Sequence, residues 1–408
     1  MTTNATAHNA RRRPLPKGVP MLMLTSMLMY LGFYALIPYL SYHLTHSLLM
    51  TPALVGLILS VRQLSQQGIT FLTGILADRV GYKPMMGIGM IIRGVGFSLF
   101  GLVTTPSLLF LSAILAGLGG ALFEPTRDAS VSALTPAEDR TRVFAIKKVL
   151  GNVGIALSAL LGGALIAFDF KWLSLVCGGS YFLAAVITMY TLPAIKVQVE
   201  RLPFKRMWNT VLADRFFLKF IVCNIGYYFL YLQMYFTIPI QAVSITGSVH
   251  AVSSINLTLA GIIIFCQYPI TRFMSRWSAL RGIQGGLLLM AAGLLLLGSA
   301  HGWALFVASV AVFAVGMMIV EPASFDVIAG AARPELAASY FGFSAFSMAI
   351  GGAVAQGSGG YLLQYGTEIG MPSLLWWVSA AVAALSILGI QRLITDGKKV
   401  VAHSEKFV

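Results

Sequence analysis

Long apolar segments alternate with short polar ones along nearly the whole chain, and the loops between them have only a few residues. A helix needs about 20 apolar residues to cross a bilayer, whereas a barrel strand shows alternation over about ten. The pattern therefore predicts an all-α membrane protein built as a helical bundle. We place its twelve spans at Val19–Tyr42, Thr51–Ala77, Met85–Val103, Ser107–Phe123, Val143–Phe168, Trp172–Leu192, Phe216–Ala242, Val249–Arg272, Gly282–Ala300, Gly302–Val320, Ser339–Leu363 and Ser373–Leu393.

Composition and charge agree with this class. Hydrophobic residues make up 57% of the 408 positions and charged residues 10%, against about 25% charged in soluble domains, which excludes a soluble globular chain. With both termini cytoplasmic, Lys171 is the lone Lys or Arg expected outside, and Arg62 and Arg93 lie within spans. This asymmetry follows the positive-inside rule. The net charge of +14 thus reports orientation, and we expect no nucleic-acid partner.

An internal repeat divides the chain into two halves. "YLGFYALIP" at 30–38 and "YLQMYFTIP" at 231–239 share Tyr, Leu, Tyr, Ile and Pro at the same positions. "FEPTRD" at 123–128 has a counterpart in "VEPASFD" at 320–326. A third correspondence, at an offset of 197, links Gly154, Gly162 and Gly163 to Gly351, Gly359 and Gly360. The offsets agree closely, so we interpret the chain as a duplicated six-helix unit.

This duplication predicts the domain boundaries. A cytoplasmic tail, 1–18, precedes the first bundle, 19–192; a charged cytoplasmic linker, 193–215, leads to the second bundle, 216–393; a cytoplasmic tail, 394–408, ends the chain. Six helices per half give both halves the same orientation. Parallel repeats of this kind occur in transporters whose substrate site lies between two halves that rock against each other.

A charged turn, "GILADRVGYKP" at Gly74–Pro84, connects the second and third spans. Gly81 permits a positive φ, and Pro84 suits the first turn of a helix. Asp78 can accept hydrogen bonds or pair with a cation in one conformation and release them in another. We therefore expect a cytoplasmic gate motif here, with Gly74, Asp78, Arg79, Gly81 and Lys83 as its residues.

The same turn resembles the G-x-L-A-D-R-x-G-R-K signature of the major facilitator superfamily. Tyr82 stands where the family usually has Arg, and in the second half Ser275 stands where the acid would be. The resemblance implies the fold of that superfamily, with twelve spans in two pseudo-symmetric bundles.

Four further segments resemble the MdtH-type multidrug resistance proteins of bacteria: "VRQLSQQG" at 61–68, "MIIRGVGF" at 90–97, "GLGGALFEPTRDA" at 117–129 and "SYFGFSAFSMAIGGA" at 339–353. This resemblance implies proton-driven export of drugs such as quinolones through the bacterial inner membrane. We expect a monomer without a cofactor. Two positions depart from broader drug-antiporter patterns: Ala113 stands in place of an Arg, and "SALLGG" at 158–163 lacks the usual proline. The motifs alone therefore do not support antiport.

Two arginines lie at membrane depth. Arg62 is about 24 Å along its helix from Asp78, and an Arg near a helix centre costs about 2.5 to 3.5 kcal/mol to insert, so it should face a cavity or a partner. Together with Gln66 on the same helical face, it is a candidate for substrate binding. The alternative is a structural Arg bonded to backbone carbonyls of a broken helix. For Arg93 we expect a structural role between helices.

Proton coupling needs a carboxylate whose protonation changes with exposure to water. Four acids lie toward the cytoplasmic ends of the fourth and tenth spans: Glu124, Asp128, Glu321 and Asp326. The first three are our candidates for the proton carrier. Glu124 follows an unbroken apolar run and is the preferred carrier. The alternative is that these acids pair with Lys147, Lys148 and loop cations to close the cytoplasmic gate.

Tyrosines supply the remaining candidates for a drug site. Tyr227, Tyr231 and Tyr235 recur at every fourth position of the seventh span, and the first span carries two more; such rings stack on planar ligands and attract cations. The alternative is ordinary helix packing. The substrate-binding candidates are Arg62 and Gln66 of the second span together with Tyr30, Tyr34, Tyr227, Tyr231, Gln233 and Tyr235.

The first span has no acid to hold a cationic drug, so we expect a drug-like aromatic substrate that is neutral, zwitterionic or anionic. A transporter of an anionic metabolite, such as a sugar acid or siderophore, is the alternative that a buried Arg62 would suit. A receptor or enzyme would need a catalytic cluster or extramembrane domain, which the sequence lacks. His43 and His46 lie in a short outer loop without a third ligand, so we expect no metal site.

Overall fold

The structure is a computed structural model that describes residues 15–16, 18–136, 139–193, 204–274, 277–332 and 337–404. Regular structure in these ranges is entirely helical, which confirms the all-α prediction for them. The helices are α1 (Val19–Tyr42), α2 (Pro52–Gln67), α3 (Thr70–Val80), α4 (Tyr82–Phe100), α5 (Pro106–Leu134), α6 (Arg140–Ile166), α7 (Phe170–Thr191), α8 (Phe204–Ala213), α9 (Arg215–Leu232), α10 (Thr237–Thr246), α11 (His250–Met274), α12 (Ala279–Gly298), α13 (Trp303–Ala331), α14 (Ala337–Glu368) and α15 (Leu374–Ser404).

Within the described residues, nine helical segments are long and apolar enough to cross a membrane. The predicted spans outside that set correspond to α2 with α3, α4, and α14. The break at Gly68 and Ile69 leaves α2 with 16 residues and α3 with 11, so neither is long enough alone. In α4 and α14, buried polar side chains such as Arg93 and Gln356 lower the hydropathy. The count of twelve spans stays a prediction.

Two spans predicted as continuous helices are broken in the structure. The second is interrupted at Gly68 and Ile69, where Ile69 has φ −110° and ψ −2°, so that α2 gives way to α3. The seventh is interrupted by a 3₁₀ turn at Gln233–Tyr235, and Phe236 has φ −130° and ψ −69° before α10 begins. Each break changes which side chains share a helical face.

Gly81 alone connects α3 to α4. Its φ of 104° lies in the region that favours glycine, and Pro84 is the third residue of α4, where a missing amide donor costs little. Arg79 is exposed and Lys83 half-buried. The side chain of Asp78 lies outside what the structure describes, so the gate motif stays a prediction.

Repeat-related glycines make the same close approaches in both halves. A Cβ at Gly119 of α5 would lie 2.5 Å from the Gly89 oxygen of α4, and a Cβ at Gly316 of α13 would lie 2.5 Å from the Gly286 oxygen of α12. Each pair in the second half follows its counterpart by 197 residues. Only glycine allows backbones to approach this closely. The helix pairs α4–α5 and α12–α13 are thus packed in the same register.

The halves contact each other at the predicted outer end of the bundle. A Cβ at Gly163 of α6 would lie 2.5 Å from the Ser253 Oγ of α11, and the Tyr39 hydroxyl of α1 shares a hydrogen bond with the same Ser253. A second contact between the halves joins α2 to α14, where Ser60 donates a hydrogen bond to the Ala353 oxygen at 2.6 Å. These contacts close the outer end of the seam between the halves.

The predicted linker, 193–215, contains helix α8, and residues 194–203 lie outside the described ranges. Trp208 of α8 packs on Phe71 of the first half at 5.8 Å between ring centroids and on Phe343 of the second half at 5.5 Å. The connection is therefore docked against both halves at the predicted cytoplasmic end.

Candidate functional site

A cavity of about 430 Å³ lies between the halves at the predicted cytoplasmic end. Helices α1 and α6 of the first half and α13 of the second half form its walls. The lining residues are Tyr30, Tyr34, Phe144, Lys147, Gly151, Ile155, Glu321 and Phe325. Aromatic rings thus surround one basic and one acidic side chain, and each half contributes one of the two charges.

The α6 wall follows from helical periodicity. Phe144, Lys147, Gly151 and Ile155 are separated by three, four and four residues, which places them on one face of the helix. Sequence reasoning considered Lys147 only as a gate cation and did not anticipate the other three as cavity residues. The helical spacing of these residues around a charged residue in an apolar helix is the sequence signal by which they could have been identified.

Asp128 sits in an ion cluster inside the first half. Its Oδ1 accepts a hydrogen bond from Arg127 Nε at 2.7 Å and another from Lys147 Nζ. The Arg127 guanidinium also lies over the Tyr30 ring, 5.4 Å from the centroid. The expected pairing of Asp128 with Lys147 is present, but it joins α5 to α6 of one half and does not bridge the two halves. Lys148 has no described side chain.

Arg62 is buried, with 2% of its surface exposed, and is not among the residues that line this cavity. Its Nη1 donates to Gln66 Oε1 at 3.2 Å, and its Nη2 donates to Gln63 Oε1 at 3.0 Å. Gln63 in turn donates to the Met348 oxygen of α14 at 3.4 Å. The partners are side-chain amides, in contrast to the backbone carbonyls that the structural alternative assumed. Substrate binding by Arg62 and Gln66 stays a prediction.

Glu124 neutralises Arg93 in a tight contact. Its Oε1 accepts from Arg93 Nη1 at 3.0 Å and from Gln66 Nε2 at 2.8 Å. The Arg93 side chain is 2% exposed and that of Glu124 is 36% exposed. Gln66 thereby connects Arg62 to the same carboxylate. The result is one network in which a single acid faces two buried guanidinium groups.

Phe33 is the residue of this network that sequence reasoning missed. Its ring centroid lies 4.8 Å from Arg93 Cζ and 5.6 Å from Arg62 Cζ, distances at which a cation is attracted to an aromatic face. Phe33 lies between Tyr30 and Tyr34 in the repeated motif, but the repeat itself gives no signal, because the matching position in the second half is Met234.

The predicted tyrosines form a continuous row across the seam. Tyr34 of α1 lies 6.1 Å from Tyr235, and Tyr235 shares a hydrogen bond of 3.2 Å with the Tyr231 hydroxyl. Tyr227 follows at 5.8 Å from Tyr231. Tyr30, which stacks 6.0 Å from Tyr34, and Tyr34 itself line the cavity. Gln233 is buried and accepts from Thr237 Oγ1 at 2.7 Å.

Within the described part of the chain, no group of three or more His, Cys, Asp or Glu residues could hold a metal ion. His43 stacks on Phe170 at 4.0 Å, and His46 stacks on Tyr42 at 4.7 Å. Both rings therefore serve packing at the predicted outer end.

Comparison with known proteins relates this arrangement to transporters. The sequence model of the Major Facilitator Superfamily matches residues 22–356. The multidrug resistance protein MdtH of Proteus mirabilis is 32% identical over 372 residues, which cover 91% of this chain and 93% of the relative. The protein of the same name from Yersinia enterocolitica is 34% identical over 371 residues, covering 90% and 92%. That of Salmonella typhimurium is 33% identical over 373 residues, covering 90% and 92%.

Solved structures agree in fold. The nucleoside transporter NupG superposes with a TM-score of 0.77 at 15% identity, covering 92% of this chain and 98% of that one. A POT family transporter in complex with 5-aminolevulinic acid gives a TM-score of 0.78 at 14% identity, covering 93% and 97%. At such low identity the likeness shows the fold alone.

Proposed function

The chain belongs to the Major Facilitator Superfamily, and from this premise we propose that it exports drug-like molecules across the bacterial inner membrane, driven by protons. The observation that carries the proposal is the similarity to proteins named multidrug resistance protein MdtH, at 32–34% identity over about nine tenths of both chains. A transporter of this class acts as a membrane protein on a small-molecule substrate and is not an enzyme.

The cavity supports an aromatic substrate. Tyr30, Tyr34, Phe144 and Phe325 offer ring faces to a planar molecule. Lys147, which also bonds Asp128, and Glu321 place one charge of each sign in the lining, and the absence of an acid on the first span favours a neutral, zwitterionic or anionic drug. A volume of about 430 Å³ is in the range of pockets that hold drug-sized ligands.

Alternating access supplies the transport step. In this conformation the seam is closed at the outer end by contacts such as Gly163 with Ser253, and the cavity lies at the cytoplasmic end. Rocking of the halves would separate the outer contacts and expose the same residues to the other side. A carboxylate that binds a proton on one side and releases it on the other would couple the cycle to the proton gradient. We propose that the protein does this as a monomer.

A transport assay tests the proposal. Purified protein is reconstituted in proteoliposomes, and uptake of quinolones, fluorescent dyes and organic acids is measured with and without an imposed pH gradient. Gradient-dependent movement of the quinolones or dyes is the expected result. Movement of organic acids alone would favour the anionic-metabolite transporter, and no gradient-dependent movement of any compound would contradict the function.

Tyr34→Ala tests the cavity assignment. Loss of one aromatic contact is worth about 1 kcal/mol, so the apparent affinity for an aromatic substrate should fall about fivefold. The measurement is the substrate concentration at half-maximal transport. Tyr268→Ala is the matched control, because Tyr268 is 72% exposed on the bundle surface and outside the cavity. Equal effects of the two substitutions would contradict the cavity as the binding site.

A further inference from the structure

We propose that Gln356 of α14 and Gln233 of the 3₁₀ turn, next to the buried Arg62, form a subsite that binds the carboxylate of an aromatic acid. The inference rests on the proposed export of drug-like molecules and names the polar group that the protein recognises in them. It is carried by side-chain amides that lie buried in the seam between the halves and have no hydrogen-bond partner among the described residues.

Gln356 stands between two other glutamines, one from each half. It shares a face of α14 with Gly352 and Gly359, at spacings of four and three residues. A Cβ at Gly352 would lie 2.9 Å from Gln63 Cγ of α2, and a Cβ at Gly359 would lie 3.3 Å from Gln233 Oε1. These spacings correspond to about 6 Å and 4.5 Å along the helix. The three amides therefore form one row across the seam.

The amides of this row are buried and incompletely bonded. Gln356 is 1% exposed and Gln233 is 0% exposed. Within the described ranges, neither Nε2 nor Oε1 of Gln356 has a hydrogen-bond partner, and Gln233 Nε2 has none either. Burying a polar group without a partner is costly and rare in folded proteins. These groups are therefore suited to a ligand that the fold itself does not supply.

The unpaired groups of the two glutamines are mainly donors. Each Nε2 carries two N–H groups, whereas Gln356 Oε1 is an acceptor. Gln233 Oε1 already accepts from Thr237 Oγ1. A hydrogen bond from Gln233 Nε2 to Gln356 Oε1 would still leave N–H donors unused. An ionised carboxylate, which only accepts hydrogen bonds and has two oxygens to do so, fits this surplus.

The charge beside the row favours an anion. Arg62 donates to Gln63 Oε1 at 3.0 Å, and its own Nε has no partner in the described part of the chain. The network of Arg62 also contains Arg93 as a second buried cation and Glu124 as its acid. It thus has one more basic than acidic side chain. An anionic ligand would compensate a buried positive charge, which is otherwise destabilising.

The cavity and the subsite are adjacent. Tyr34 lines the cavity and lies 6.1 Å from Tyr235, which belongs to the same 3₁₀ turn as Gln233. In this conformation, the hydrogen bond from Ser60 to α14 closes the seam beside Gln356. Rocking of the halves would part α2 from α14, so that the carboxylate reaches the amides while the aromatic body stays among the tyrosines. Binding there favours the conformation in which the amides are accessible.

Ligand binding to the purified protein in detergent tests the subsite without a transport step. The probes are nalidixic acid, an aromatic acid of the quinolone class, and its decarboxylated analogue. The measurement is the concentration of each compound that gives half of its maximal increase in melting temperature. The wild type should prefer the acid by about tenfold or more, the effect of one hydrogen bond to a charged group.

Gln356→Leu keeps the approximate size of the side chain and removes the amide. It should lose the preference for the acid, and Gln233→Leu should lose it as well. Without ligand, Gln356→Leu should melt no lower than the wild type, because no hydrogen bond within the described residues is lost. Gln284→Leu is the matched control, since Gln284 donates to Gln391 inside the second half at 2.9 Å, and it should keep the wild-type preference.

Three results would overturn the inference. They are a wild type that does not prefer the acid, a Gln356→Leu variant that keeps the preference, and a variant that loses affinity equally for both compounds. In each case the amides would bind ordered water only or serve the shape of the site. A wild type that prefers the acid in detergent but shows no gradient-dependent transport in proteoliposomes would instead refute the proposed export and leave the subsite in place.

Discussion

The two halves of this protein share their backbone packing but differ in their charges. Gly89 and Gly119 in the first half are matched by Gly286 and Gly316 in the second, with the same close approach of 2.5 Å. The ion pair that crosses the first of these contacts, Arg93 with Glu124, has Met290 in place of the arginine in the second half. Duplication thus preserved the helix contacts, while the two copies took different electrostatic roles.

This difference teaches how a duplicated bundle can divide its work. In the first half, the Glu124 carboxylate is bonded to the buried guanidinium of Arg93 and, through Gln66, is linked to that of Arg62. In the second half, the equivalent carboxylate faces a cavity between tyrosines and Lys147. The acid of the first half is thus held in an ion pair, whereas the acid of the second half lines the cavity.

The largest effect is expected from Arg93→Met, which gives the first half the residue of the second. Glu124 then loses its direct partner, and breaking a buried pair costs about 3 kcal/mol, the low end of the range, because the Glu124 side chain is 36% exposed. The melting temperature in detergent should fall clearly. Adding Glu124→Gln should recover most of the loss, and a double variant as unstable as the single one would contradict the pairing.

Gly119→Ala and Gly316→Ala test the shared packing. Each new methyl group would meet a backbone oxygen at 2.5 Å, on Gly89 or on Gly286, so each helix pair must separate at a cost of about 1 to 3 kcal/mol. Thermal stability should fall by similar amounts in both variants. Gly179→Ala is the control, because a Cβ there meets nothing within 4 Å. A large effect in only one half would show that the packing is not equivalent.

A smaller effect is expected from Phe33→Met, which again copies the second half, where Met234 holds the position. The ring contacts of Arg93 and Arg62 would be lost at a cost of about 1 kcal/mol. The same substitution combined with Arg93→Met should cost less than the sum of the two single changes, because the variants share a contact. A strictly additive result in thermal unfolding would contradict the cation–ring interaction.

The helical class could be predicted from the sequence because the periodicity and the length of apolar segments are local properties of the chain. Tyr30, Tyr34, Tyr231 and Tyr235 were singled out from the repeat, and the structure brings them together across the seam. The resemblance read from the charged turn at 74–84 agrees with the superfamily match. These features depend on neighbouring residues or on a comparison of one half with the other.

Other features could not be read from the sequence because they depend on distant contacts. The pair of Arg93 and Glu124 joins residues 31 positions apart, and no local pattern specifies which cation meets which acid. The helix breaks at Gly68 and at Phe236 interrupt apolar runs whose hydropathy looks continuous. The sequence likewise did not specify that the Arg62 guanidinium donates to the side-chain amides of Gln63 and Gln66.

The most direct test of the account asks whether the outer contact between the halves must open during transport. A Cβ at Gly163 would lie 3.2 Å from the Ser253 Cβ, which is a few tenths of an ångström shorter than the usual Cβ–Cβ distance of about 3.5–4.5 Å in a disulfide. The variant combines Gly163→Cys with Ser253→Cys in a background where Cys177, Cys223 and Cys266 are replaced. Oxidation should join the halves and stop substrate transport in proteoliposomes, reductant should restore it, and each single-cysteine variant should be insensitive to both treatments. Transport by the cross-linked protein at the rate of the reduced protein would contradict alternating access between these two halves.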